Sequence, residues 1–124
     1  GCTKLTQFII PSSVTSIGDY AFEGCSSLTQ ILIPLSVISI GKYSFSKCTE
    51  LTKVEFELLS ALSSIDDYAF HDCSSLIDIT IPYSIKNIGY NAFEGCWSMT
   101  QIKIPRNIDP TNIGIDLHSV KVLN

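Results

Sequence analysis

Residues 28–50, LTQILIPLSVISIGKYSFSKCTE, form one unit of a repeating chain, and the rest of the sequence is read outward from them. Leu28, Ile31 and Ile33 carry the L-x-x-I-x-I spacing of a short strand. Side chains alternate across a strand, so Ile31 and Ile33 share one face and Leu32 takes the other. Pro34 then ends the ladder, because it has no N–H to donate and its φ is fixed. Val37 and Ile40 return to the interior and Gly41 makes the bend. Tyr43-Ser44-Phe45 is expected as a short helical or 3₁₀ segment, and Cys48 leads into the next strand at Leu51.

The same unit recurs along the chain. Cysteine stands at 2, 25, 48, 73 and 96, phenylalanine at 22, 45, 70 and 93, and isoleucine at 17, 40, 65 and 88. Leu5, Leu28, Leu51, Leu76 and Met99 lead the strands in the same phase. All four series step by 23 residues except for a shared step of 25, which composition alone does not produce. Each unit is too small to bury its own apolar side, so it must stack on its neighbours. Burial of one Phe or Ile in such a stack contributes roughly 1.5–3 kcal/mol.

Departures from the pattern mark the irregular places. The third unit has Glu57 where the others have proline, Asp66 for glycine, and nine steps from Phe56 to Ile65. Its extra residues are expected to bulge around Leu58–Ala61. A fifth unit from Met99 shows the same nine steps between Ile104 and Ile113, loops around Asn107–Pro110, and lacks the Phe and Cys. Leu117, Val120 and Val122 repeat the strand spacing and suggest a sixth, terminal strand. Gly1-Cys2 matches Gly24-Cys25 and Gly95-Cys96, so the chain opens at the tail of a truncated repeat. A longer array or a partner over the open edge is expected there. Strands are expected near 5–10, 28–33, 51–56, 76–81, 99–104 and 117–122, within one domain spanning 1–124 and an atypical unit from 105.

Bulk composition narrows the function. Apolar residues make up 45% of the 124 and charged residues 16%, a folded rather than a disordered composition. A net charge of −4 argues against nucleic acid and anionic membrane surfaces as partners. No apolar run approaches the ~18 residues of a membrane span. GCTKLTQF has neither the basic nor the apolar region of a signal peptide, and no N-x-[ST] acceptor is present.

The phrase IPSSVTSIGDYAFEGCSSLTQI, residues 10–31, closely resembles the repeat of the BspA-like leucine-rich-repeat family. The likeness continues through IPLSVISIGKYSFSKCTELTKV, SSIDDYAFHDCSSLIDI and IPYSIKNIGYNAFEGCWSMTQI, covering about residues 1–105. Glu57, Asp66 and the C-terminal stretch depart from it. The resemblance implies an α/β repeat: a right-handed solenoid of about six parallel strands on one face, with short helical turns and loops on the other. It also implies a protein-binding scaffold. Members occur mainly in bacteria and parasitic protists, often as large surface proteins that adhere to host matrix proteins or to other cells. A cell-surface adhesion role is therefore expected, with fibronectin- or fibrinogen-like partners. An intracellular scaffold binding a cytosolic protein and a self-associating homo-oligomer are the alternatives.

Candidate chemistry is sparse. The cysteines lack the C-x-x-C pairs of a zinc site. On successive rungs they lie within disulfide distance, but pointing inward in parallel they are expected as buried free thiols. Their number is odd, so a monomer keeps at least one thiol. His71-Asp72-Cys73 groups three reactive types, yet Cys73 belongs to the structural series, and neighbours on a tight segment rarely converge. His118 is isolated, and Asp66-Asp67 lacks the further positions of a calcium loop. No catalytic residue, metal site or cofactor is expected.

The outward strand positions are the binding candidates: Thr6, Gln7 and Ile9; Thr29, Gln30 and Leu32; Thr52, Lys53 and Glu55; Ile77, Asp78 and Thr80; Thr100, Gln101 and Lys103. Partners of repeat solenoids dock on that face, here with the two insertion loops beside it. The same positions also suit plain solvation of a sheet, since no cluster of Trp, Tyr and Arg marks them. Tyr20, Tyr43 and Tyr68 are expected to cover the convex edge with their hydroxyls in water, and Trp97 is either a cap on the core or an exposed anchor.

Overall fold

The computed structural model describes residues 2–123; Gly1, aligned in sequence with Gly24 and Gly95, lies outside them. Two parallel sheets run along the solenoid. In chain order the strands are β1 (Ser16–Ile17), β2 (Gln30–Ile33), β3 (Ser39–Ile40), β4 (Lys53–Phe56), β5 (Ser64–Ile65), β6 (Asp78–Thr80), β7 (Asn87–Ile88), β8 (Gln101–Pro105) and β9 (Val120–Leu123). The longer strands make one sheet in the order β2-β4-β6-β8-β9, and the two-residue strands make another, β1-β3-β5-β7.

Among the described residues the strand face therefore holds five strands, not six. The segment expected as a strand over 5–10 is reduced to a single parallel bridge between Gln7 and Gln30. Over 117–122, Leu117–Ser119 is a 3₁₀ turn capped by Asp116, and the strand begins only at Val120. Leu117 is exposed rather than a strand-leading core residue. Strands elsewhere start two residues later than their leading Leu or Met. Leu28, Leu51, Leu76 and Met99 donate their N–H groups back to Cys25, Cys48, Cys73 and Cys96, closing a turn before the ladder begins.

The opposite face is not helical. Tyr43, Phe45 and Lys47 donate their N–H groups to the next rung, at Asp67, Ala69 and His71. The intervening Ser44, Ser46 and Cys48 donate locally, to Gly41, Tyr43 and Phe45. A helix needs every N–H directed along its own axis. Here alternate amides are committed to a neighbour, and Tyr43 and Lys47 adopt φ of 55° and 62°, in the left-handed region. Tyr20, Tyr68 and Asn91 repeat the first of these positions; Gly24, Asp72 and Gly95 repeat the second. Gly41 is required by closeness: a Cβ there would stand 2.7 Å from the main-chain nitrogen of Asp19.

Between the sheets lies one apolar core, stacked in columns. Phe22, Phe45, Phe70 and Phe93 stack face to face at centroid spacings of 5.1, 5.2 and 5.3 Å, and the last three are fully buried. Phe8 meets Phe22 edge-on at the N-terminal end. At the other end Ile113 accepts from Phe93 N, the slot that Ala92 and Ala69 fill on earlier rungs. Ile113 therefore takes the slot of those alanines, buried, instead of continuing the series of Ile17, Ile40, Ile65 and Ile88. The nine-step spacing suggested the latter; the compressed last turn skips the short strand, leaving β7 at the edge of its sheet.

Candidate binding site

The two-residue insertion of the third turn shapes the strand face. Glu57, standing where the other turns have proline, keeps an N–H and donates it to Ile33 O at 3.1 Å. Its carboxylate accepts from Leu35 N at 2.8 Å, pinning the base of the insertion to the rung before it. Ser60 N closes the turn on Glu57 O, and the chain rejoins the stack where Ala61 N meets Leu35 O. Between these ties Leu58 and Leu59 project, 87% and 85% exposed, and Leu59 has φ of 65°. Two large apolar side chains on a left-handed, solvated turn contribute nothing to the core. A non-glycine residue held there costs on the order of 1–3 kcal/mol.

Beneath this projection lies a depression of about 690 Å³. Its floor is β4 and β6, its wall the insertion and Pro82-Tyr83, and Leu123 of β9 closes it from the C-terminal rungs. A smaller depression of about 250 Å³ lies toward the N-terminus, lined by Gln7, Phe8, Ile9, Gln30, Ile31 and Leu32. Lys53 and Glu55 border both. Their side chains pair at 2.6 Å while remaining 59% and 52% exposed, and the hydrogen bond to Glu55 holds the Lys53 ammonium above its ordinary pKa.

Of the expected strand-face residues, Lys53, Glu55, Asp78 and Thr80 border the larger depression. Gln7, Ile9, Gln30 and Leu32 border the smaller one. Thr6, Thr29, Thr52, Ile77 and Thr100 lie at the strand entrances, exposed and outside both. There Thr29, Thr52 and Thr100 turn their hydroxyls to the carbonyls of Thr6, Thr29 and Ile77 one rung below, at 3.1–3.3 Å. Gln101 and Lys103 are half-buried on β8. Tyr83 and Leu123 were not among the sequence candidates. Tyr83 had a signal: it follows the proline of its turn, where Leu35 and Tyr83 both stand exposed. Leu123 had none, since only the stacking of β9 carries it to a depression built mainly by β4 and β6. The second insertion does not project: Asn107 donates to Ile85 O at 3.0 Å, and Asp109 caps a 3₁₀ turn over Pro110–Asn112.

The cysteines correct one expectation. Cys2 and Cys25 are joined in a disulfide, with Cα atoms 4.8 Å apart, while Cys48, Cys73 and Cys96 are free and buried. The free thiols donate to the carbonyls of Phe22, Phe45 and Phe70 one rung below, at 3.1–3.2 Å. Cys25 has no such phenylalanine carbonyl among the described residues, and its sulfur meets Cys2 instead. Burial pushes the Cys48 thiol up to about 11 and the Cys96 thiol up to about 12, and raises Cys73 as well. Cys73 thus faces the core, while the part-buried His71 ring packs edge-on against Tyr43 and Tyr68, 3.5 Å from Asp72 and 3.3 Å from Glu94. The three neighbours do not converge on a reacting centre. Asp66 and Asp67 spend carboxylate oxygens on the amides of Asp67 and Tyr90. Among the described residues no cluster suits a metal ion, and no helix is long and apolar enough to cross a membrane. Tyr20, Tyr43 and Tyr68 stack at 5.2 and 5.0 Å along the outer edge; Trp97 is 84% exposed and does not cap the core.

The profile of the BspA type leucine rich repeat region matches residues 1–115 in six copies. The chain belongs to that family. Its BspA-type solenoid is similar to a leucine-rich repeat protein of Bacteroides ovatus, with 29% identity and a TM-score of 0.87, over 99% of this chain and 31% of that one. It is also similar to a leucine rich cell surface protein of Faecalibacterium prausnitzii, with 32% identity and a TM-score of 0.83, over 94% of this chain and 31% of the other. A leucine-rich repeat protein of Bacteroides capillosus is 33% identical, with a TM-score of 0.68, over 80% of this chain and 76% of that one. The BspA-type chain thus spans about a third of the first two proteins. No curated protein matches it significantly. The fold is a leucine-rich repeat scaffold of the kind generally used for protein interaction.

Proposed function

We propose that this BspA-type segment is a protein-recognition element of a cell-surface adhesion protein, and that its partner docks on the strand face under the third-turn insertion. The observation that carries this reading is the pair Leu58 and Leu59, held exposed beside a depression of about 690 Å³. Pockets of that size hold side chains or short segments of a partner, and an exposed apolar projection beside one gives a docking partner area to bury. The likeness to a Faecalibacterium prausnitzii cell surface protein supports the surface role.

The test is binding of the purified chain to immobilised fibronectin and fibrinogen, beside a Leu58→Asp/Leu59→Asp variant. Saturable binding, at least ten-fold weaker in the variant at unchanged melting temperature, is the expected result; ten-fold corresponds to about 1.4 kcal/mol. Equal binding by both proteins would place recognition elsewhere. Binding to neither matrix protein would remove the adhesion reading.

A further inference from the structure

The charges around the larger depression are unbalanced. Glu55, Glu57 and Asp78 face one cation, Lys53, so the lining carries a net charge of −2. Two of the carboxylates are engaged: Glu55 by Lys53, and Glu57 by the amide of Leu35. Asp78 stands in register with Lys53 on the next strand and helps to raise its pKa through space, but it accepts no hydrogen bond and makes no close ion pair among the described residues. Around these charges the surface is apolar, formed by Leu58, Leu59, Phe56, Pro82 and Leu123.

From this we infer that the depression takes a peptide segment of a partner protein in which a large apolar side chain is followed or preceded closely by Lys or Arg. The inference deepens the docking role proposed above and rests on it. The apolar residue would fill the space between the insertion and Leu123, removing Leu58 and Leu59 from water. The cation would meet Asp78, the carboxylate still available, beside a Lys53 already committed to Glu55. An acidic segment would bring further negative charge to a net negative lining and lose its own hydration. A second copy of this chain fits poorly, since each copy carries a net charge of −4 and the two repel.

The experiment is selection from a random-peptide display library on the immobilised chain, with the Leu58→Asp/Leu59→Asp variant as the counter-target. The leading peptide is then synthesised and titrated against wild type, that variant and Asp78→Asn. Peptides pairing Leu, Phe or Trp with a nearby Lys or Arg are expected. The leading one should lose binding to the double variant, weaken about five-fold on Asp78→Asn, and weaken as salt rises. Peptides that need Leu58 and Leu59 but lack a cation and ignore Asp78→Asn would overturn the charge rule and leave the docking role standing. Peptides indifferent to Leu58 and Leu59, or no enrichment over the counter-target, would overturn both. A concentration-dependent mass in the wild type that the Leu58→Asp/Leu59→Asp variant loses would make a second copy the occupant and overturn the inference.

Discussion

Lys53 and Glu55, two residues apart on β4, point the same way and pair at 2.6 Å, and the resulting ion pair borders both depressions of the strand face. Residues i and i+2 of a strand share a face, so the pair needs no help from other rungs. Its exposure tells against a role in stability, because solvated pairs contribute little after screening and side-chain ordering. Lys53→Ala or Glu55→Ala should leave the thermal midpoint unchanged within error. Either change should alter partner binding, since each removes part of the wall between the depressions. A marked loss of stability would mean that the pair holds the solenoid together.

Ser44 stands at the position that Ala21, Ala69 and Ala92 occupy in the other turns, and its hydroxyl is buried without a hydrogen-bond partner among the described residues. An unpaired buried hydroxyl costs roughly 1–3 kcal/mol. Ser44→Ala should therefore raise stability by about 1 kcal/mol, read as a higher urea midpoint at the same slope. A lower midpoint would show that the hydroxyl is satisfied.

Phe45 lies between Phe22 and Phe70 with no exposed surface. Phe45→Ala should cost about 3–5 kcal/mol, as large buried aromatic truncations do. Thr29 is exposed at the strand entrance, and Thr29→Ala should cost less than about 0.5 kcal/mol. Equal costs in urea melts would refute the assignment of interior and exterior.

Leu59 holds a φ of 65° on an exposed turn. Leu59→Gly relieves that geometry while loosening the unfolded chain, two effects of similar size and opposite sign. The melting temperature should change little, whereas partner binding should fall. Lost stability would mean that Leu59 packs in a way its exposure does not suggest.

Thiol chemistry checks the cysteine column. Raised thiol pKa values, about 11 for Cys48 and about 12 for Cys96, leave almost no thiolate at pH 8, and burial shields the sulfurs as well. The native chain should therefore react with no equivalent of a thiol reagent. Denatured it should show three thiols, and denatured and reduced five, in line with one disulfide and three free cysteines. Five thiols without reduction would remove the Cys2–Cys25 bond.

The repeat, its period and its inward residues were legible in the sequence because every rung meets nearly the same surroundings. A side chain that must stack on its own counterpart leaves a periodic trace, as Phe22, Phe45, Phe70 and Phe93 do. The insertion at Leu58 was legible for the same reason, as a break in that period. The second sheet was not. A Tyr-Ser-Phe segment flanked by glycine and lysine is compatible with a helical turn until a neighbouring rung claims alternate amides. That claim depends on a carbonyl 24 residues away, as in Phe45 N to Ala69 O.

What the sequence by itself determined is therefore the repeated part: a stacked array, its core columns, its turn of altered length and its family. What only the tertiary structure decided lies where unlike rungs meet. Cys25 pairs with Cys2 while Cys48, with the same side chain at the same position, donates to Phe22 O. Ile113 takes the slot of Ala69 and Ala92 instead of extending the isoleucines, and Leu123 reaches a depression otherwise built by the third and fourth turns. The physical reason is common to all three. A repeat specifies what each residue faces only while the next rung is the same, and at the ends and the insertion the partner is set by the packing of the whole stack.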